Sequence, residues 1–239
     1  MKPVTTPIPL MPATSDDRLV IWRQPLARAA LGAATLLLLV WLSAPHLRAF
    51  LLADAARADM AVAQTLHDAS SPALITFMQA ISLLHSTAAL LTFATLGALA
   101  LWHTGRREGV PLLLITLPGG MLLNMAVKTV VHRARPEWGY AYQVVESFSF
   151  PSGHTAGAML LYGLIVCGLW PRLRPIGARL VLVPLAVALV LLVGASRIVL
   201  GVHFFSDCVA GVLEALIWLV ICLGGTGPLL ASPIKRSAT

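Results

Sequence analysis

Charge is scarce in this chain. Only 11% of its 239 residues are Asp, Glu, Lys or Arg, where a soluble domain carries about a quarter. With 58% of the residues hydrophobic, a water-soluble fold has nowhere to hide so much apolar surface, and the chain reads as an integral membrane protein. Acids are scarcer still than bases, 10 against 17, which leaves a net charge of +7. The bases are scattered singly, with no basic run interleaved with aromatics, and this argues against a nucleic-acid partner. There are only 3 cysteines, and Cys167, Cys208 and Cys222 all lie inside apolar segments at no CxxC or metal-ligand spacing. They read as small core residues rather than a disulfide framework or a metal site. No internal repeat, Gly-rich nucleotide loop or low-complexity tract interrupts the pattern, so one membrane domain is expected.

What the chain has instead is long apolar stretches. Six are long enough for a bilayer core, which takes roughly 17–25 helical residues: about 26–44, 85–103, 110–131, 155–170, 180–196 and 208–224. Backbone groups in lipid must be satisfied within the segment, so these are expected to be helices, giving an all-α bundle of six transmembrane helices over 26–225. The first stretch has a long polar lead and exceeds a signal-peptide core, so it is read as a retained span. The segment 45–84 is too polar to span and reads as one or two amphipathic helices on the outer surface, broken near Ser70-Ser71-Pro72. The tails 1–25 and 226–239 are expected to be disordered and cytoplasmic. With the N-terminus inside, eleven of the 17 Lys and Arg residues fall on the inner side and six on the outer, which supports two cytoplasmic termini.

That orientation puts three polar clusters on one face of the membrane. "KTVVHRARP" ends the third span with Lys128, His132, Arg133, Arg135 and Pro136. "PSGHT" opens the fourth with Ser152, Gly153 and His154. "SRIVLGVHFFSD" joins the fifth and sixth with Ser196, Arg197, His203 and Asp207. Ionisable groups at membrane depth are costly and usually functional, whereas a lone arginine more often snorkels to the headgroups. Three clusters together suit phosphoryl transfer. Lys128, Arg135 and Arg197 can neutralise a phosphate, arginine with paired N–H groups. Ser152 can cap the fourth span, and Gly153 lets backbone N–H groups approach an oxyanion at its N-terminus. His203 and Asp207 are four residues apart, so on one helical face the carboxylate can hold the imidazole and leave the other nitrogen to attack phosphorus. His154 can protonate the departing oxygen and later activate water. No carboxylate cluster suits Mg²⁺ or Zn²⁺, so neither a metal nor another cofactor is expected.

These residues resemble the signature of the type 2 phosphatidic acid phosphatase (PAP2) superfamily, K-x6-RP, then PSGH, then SR-x5-H-x3-D. Here it stands as Lys128 with Arg135-Pro136, as Pro151-Ser152-Gly153-His154, and as Ser196-Arg197 with His203 and Asp207, every position matching, over a resemblance that covers about residues 75–225. The resemblance implies a six-helix core with its site at the periplasmic surface of a bacterial inner membrane. It implies His203 as nucleophile, Asp207 as its orienting partner, His154 as general acid, and Lys128, Arg135, Ser152, Gly153 and Arg197 as the phosphate cradle. The substrate it implies is a phosphorylated membrane lipid: phosphatidylglycerol phosphate, phosphatidic acid or undecaprenyl diphosphate.

Other residues lie outside the signature. Asn124 sits one turn below Lys128, and Glu214 two turns below Asp207, roughly 10 Å deeper; together they are expected to form a polar floor, or else to serve packing. Arg133 and His132 are expected to contact headgroups or a second phosphate. Trp138, Tyr140 and Tyr142 fit an interfacial aromatic belt, and His85 an interfacial or packing position. Two rival functions remain open: a phosphotransferase using the same phosphohistidine, and a transporter of a phosphorylated lipid or anion, which would call for broken helices near the midplane.

Overall fold

The computed structural model describes residues 15–137 and 147–224, with side chains from residue 24 onward. Trp138, Tyr140, Tyr142 and most of both tails lie outside the described residues. Among the described residues all regular structure is helical: α1 (Ser15–Asp68), α2 (Pro72–Leu84), α3 (Thr87–His103), α4 (Gly109–Val131), α5 (Gly153–Leu169), α6 (Ile176–Val199) and α7 (Phe205–Leu223).

Two boundaries differ from the sequence reading. Helix α1 already begins at Ser15, inside the segment expected to be disordered; Ser-Asp-Asp before a hydrophobic run is an ordinary helix-start signal. The helix also continues unbroken through Pro45 to Asp68, so the first span and the outer segment 45–68 are one element rather than a span followed by separate surface helices. Leu51, Ala55, Asp59 and Ala63, four residues apart and all buried, give its second half a continuous packed face, and this outweighs the backbone bond that Pro45 removes. The break comes at Ala69–Ser71, where Ser71 accepts the N–H of Leu74 at 3.2 Å and Pro72 takes the first helical position, as both residue types favour.

At 1.5 Å per residue α1 is roughly 80 Å long, so only part of it can lie in a hydrocarbon core of ~30 Å. Helices α1, α4, α6 and α7 are long and apolar enough to cross a membrane, and α2 with α3 makes a further candidate bent by 45°. Helix α5, with 17 residues, stands at the short end of the crossing range. Leu38, Leu39 and Leu42 on α1, and Leu180, Leu185 and Leu191 on α6, are exposed; such apolar faces suit lipid rather than water.

Helix α5 packs on α4, α6 and α7, and α1 lies across α4 and α7. The crossing of α5 and α7 is close enough to require glycine: a Cβ at Gly211 would stand 2.6 Å from the Ser152 carbonyl oxygen and 3.3 Å from the Ala156 nitrogen. The α4 C-terminus is fastened by Arg48 of α1, which donates to the carbonyls of Val131 at 2.7 Å and Val130 at 2.6 Å. Carbonyls at a helix end need such partners. The ends of α4 and α6 and the starts of α5 and α7 are thereby gathered at one end of the bundle.

Candidate active site

At that end lies a cavity of about 620 Å³ lined by Lys128, Arg135, Gly153, His154, Arg197 and His203, with Asn124 deeper along the wall of α4. Leu90 and Leu91 of α3 and Met121, Leu122 and Met125 of α4 make its other side apolar. The three clusters of the sequence therefore meet in one space that is cationic on one side and greasy on the other.

Ser152 is the N-cap of α5, its hydroxyl oxygen accepting from the Thr155 N–H at 3.5 Å. Its own N–H donates to the Asp207 carbonyl at 2.9 Å, so the starts of α5 and α7 are tied together. Gly153 follows at the cavity wall, where a Cβ would come within 3.1 Å of Asn124 Oδ1. The first turn of α5 thus brings unpaired backbone N–H groups and the His154 side chain to the cavity.

Lys128 is differently engaged from what its sequence position suggests. Its Nζ donates to three carbonyls of the segment leading into α5: Phe148 at 2.9 Å, Ser149 at 3.2 Å and Pro151 at 2.6 Å. An ammonium has three protons, so the cation faces the cavity while it holds that segment's backbone. Arg135 braces the same segment from outside. It donates to Ser147 O at 2.6 Å, Ser147 Oγ at 3.0 Å and Phe148 O at 3.3 Å, and to Val202 O at 2.6 Å. Burial lowers its pKa from the ordinary arginine value. Arg197 is only 1% exposed and hydrogen-bonds Ser82 Oγ of α2.

His203 lies in the α6–α7 connection and is buried. Its Nδ1 faces Asp207 Oδ2 and Ser149 Oγ, each at 3.4 Å, and its Nε2 faces the Arg135 guanidinium at 3.3 Å. Ser149 Oγ in turn donates to Asp207 Oδ2 at 2.5 Å. With the proton on Nδ1, the chain runs from the imidazole to the serine and the carboxylate, and Nε2, unprotonated at the cavity wall, accepts from Arg135. Burial brings the His203 pKa down to about 3, although the bond to Asp207 pulls it the other way, so the ring is neutral at pH 7.

Behind Asp207 stands a group that the sequence reading placed elsewhere. Arg133, expected at the headgroups or a second phosphate, is 9% exposed and pairs with Asp207 at 2.6 Å and with Asp59 of α1 at 2.8 Å. Two carboxylates hold it more firmly than water or headgroups can. Asp59, Ser149 and Ser206 were not singled out from sequence. The signal for Asp59 was an acid at the fourth-residue spacing of an otherwise apolar stripe. Asn124 Nδ2 donates directly to Glu214 Oε2 at 2.6 Å, joining α4 and α7 below Lys128. His85 is buried, 2.8 Å from the Tyr162 hydroxyl, and His132 ends α4 at φ 53° with its ring against Phe148.

Residues 108–227 match the family model of the PAP2 superfamily. Phosphatidylglycerophosphatase B of Bacillus subtilis (strain 168) is 35% identical over 115 residues, 47% of this chain. The match spans 56% of that relative's length. The crystal structure of a transmembrane PAP2 type phosphatidylglycerolphosphate phosphatase from Bacillus subtilis is similar in fold, with a TM-score of 0.68 at 24% identity, covering 90% of this chain and 99% of that one.

Proposed function

The chain belongs to the PAP2 superfamily, and on that premise we propose that it is a membrane lipid phosphatase working through a phosphohistidine on His203. The observation that carries the reading is the cavity in which the unprotonated Nε2 of His203, the His154 side chain and the charges of Lys128, Arg135 and Arg197 face one another, with Arg135 3.3 Å from that nitrogen.

In the first step Nε2 of His203 attacks phosphorus, the bond from phosphorus to the lipid oxygen breaks, and His154 gives that oxygen a proton. In the second, His154 takes a proton from water, the hydroxide attacks phosphorus, and the P–N bond breaks to release inorganic phosphate. Once phosphorylated on Nε2 the ring is cationic, and Asp207 and Ser149 at Nδ1 support that charge. Arg135 and Arg197 offset the charge growing on the phosphoryl oxygens, with the N–H groups at the start of α5. Lys128 adds its charge while it keeps the segment 148–151 in place. Ser152 fixes the start of α5, and Gly153 keeps it open to an oxyanion. In this mechanism the cations fill the place a metal would otherwise take.

The apolar wall suits the hydrocarbon chain of the substrate, which can stay among α3 and α4 while the phosphate meets the polar rim. The distribution of Lys and Arg supports a site on the periplasmic side of the inner membrane with both termini cytoplasmic. The name of the relative makes phosphatidylglycerol phosphate the first substrate to test, beside phosphatidic acid and undecaprenyl diphosphate.

The test is phosphate release from these three lipids by purified protein, with His203→Ala alongside and with EDTA present. At least one lipid is expected to be hydrolysed, with EDTA without effect and His203→Ala at least about a thousandfold slower, as for loss of a nucleophile. Undiminished release by His203→Ala rules out the nucleophile, and loss of activity in EDTA rules out the metal-free mechanism.

A further inference from the structure

We propose that Asp59 of α1 is a positioning residue for the reaction, acting on His203 through Arg133 and Asp207; this rests on the phosphatase reading above. Asp59 is 1% exposed and lies outside residues 108–227, the part that matches the family. Its Oδ2 accepts from Arg133 at 2.8 Å and from Ser206 Oγ at 2.7 Å, and its Oδ1 accepts the Ser206 backbone N–H at 2.8 Å.

Two physical needs converge on this carboxylate. The first is the start of α7, where the N-cap is Phe204, a residue with no side-chain acceptor for the free N–H groups of the first turn. Asp59 supplies an acceptor from another helix, and Asp207 supplies the second by taking the Phe204 N–H at 2.9 Å. The second is charge. Arg133 sits against Oδ1 of Asp207 at 2.6 Å, while Oδ2 of the same carboxylate faces His203. A guanidinium bound to Asp207 alone would draw its negative charge away from the imidazole. A second carboxylate on the same guanidinium offsets that pull and leaves Asp207 able to support the positive ring formed on phosphorylation. The Arg133 guanidinium lies 4.1 Å over the Phe204 ring, which further limits where it can move. Asp59 does not line the cavity, so its effect belongs to the chemical step and not to lipid binding.

The experiment follows phosphatidylglycerol phosphate, or whichever lipid of the panel the wild type turns over, in mixed detergent micelles. Wild type, Asp59→Asn and Ser206→Ala are compared in steady state and in single turnovers with enzyme in excess. At saturating enzyme the single-turnover rate constant does not depend on how much of a sample is folded, so it separates a chemical role from a structural one. For Asp59→Asn we expect kcat and the single-turnover constant to fall about tenfold, within the roughly 2- to 150-fold range of directly coupled residues, with KM changed less than about threefold. For Ser206→Ala, which removes one of the bonds to Asp59 and the acceptor that its hydroxyl offers Arg133 at 2.7 Å, about threefold is expected. A lower steady-state kcat with an unchanged single-turnover rate constant in Asp59→Asn means that Asp59 only supports the fold, and overturns the proposal. Should Asp59→Asn not fold, Ser206→Ala decides by the same measure: an unchanged rate constant overturns it and a slowed one upholds it. A wild type inactive on every lipid defeats the phosphatase reading itself, whereas an active wild type matched by both variants defeats only the role of Asp59.

Discussion

Ser149 illustrates how single residues divide between what sequence discloses and what only the fold can. The motif residues His203 and Asp207 are four apart, but His203 precedes α7, so the turn into that helix and not a shared helical face brings them together. Yet their side chains come no closer than 3.4 Å, and the shorter contact to Asp207 is made by Ser149, 58 positions away, at 2.5 Å. Nothing local in "SFSFPSGH" marks that serine over its neighbours. Arg133 was misplaced for the same reason. Its sequence neighbours suggested the membrane surface, whereas its partners Asp59 and Asp207 each lie 74 positions away. Lys128 was identified as part of the site, but its hydrogen bonds to three carbonyls follow from the path of residues 148–151, which spacing does not determine. Motif membership was legible at residue scale; the pairing behind it was not. The phosphate-release panel and the Asp59 variants both belong to this scale, since each changes one atom group and reads one rate.

At the scale of elements, apolar length located the helix cores of α3 to α7, because hydrocarbon demands continuous helices and their sequences are continuous apolar runs. The weak point was α1. Polarity in 45–68 suggested a surface helix, but one packed face with buried residues at every fourth position, Leu51, Ala55, Asp59 and Ala63, is enough to continue the first helix across α4 and α7. Close helix contact carries an expectation of its own. Gly211→Ala places a Cβ 2.6 Å from the Ser152 carbonyl, where backbone cannot swing aside. The change should cost about 1–3 kcal/mol, as overpacking does, and should slow lipid turnover about tenfold or more by parting Ser152 from Asp207. Gly168→Ala is the control, since nothing lies within 4 Å of a Cβ there. Thermal unfolding in detergent with phosphate release on both variants checks this. A Gly211→Ala protein as stable and active as the Gly168→Ala protein would mean that the helices can separate without cost.

For the whole molecule, the proposed orientation, with the cavity on the periplasmic side, rests on the unequal split of Lys and Arg. Single-cysteine replacements at Ala69 and Thr104, both exposed, test it in cells whose outer membrane has been opened. A membrane-impermeant maleimide should label Ala69→Cys and spare Thr104→Cys, against the background of the native cysteines; the reverse pattern would invert the topology. The central claim is chemical, and it is met most directly by quenching the enzyme during a turnover with lipid carrying a radiolabelled phosphate. Phosphohistidine survives alkali and is lost in acid, and the label should map to the peptide containing His203 and be absent from His203→Ala. Label on any other residue, or turnover that passes through no labelled enzyme at any quench time, would contradict the account.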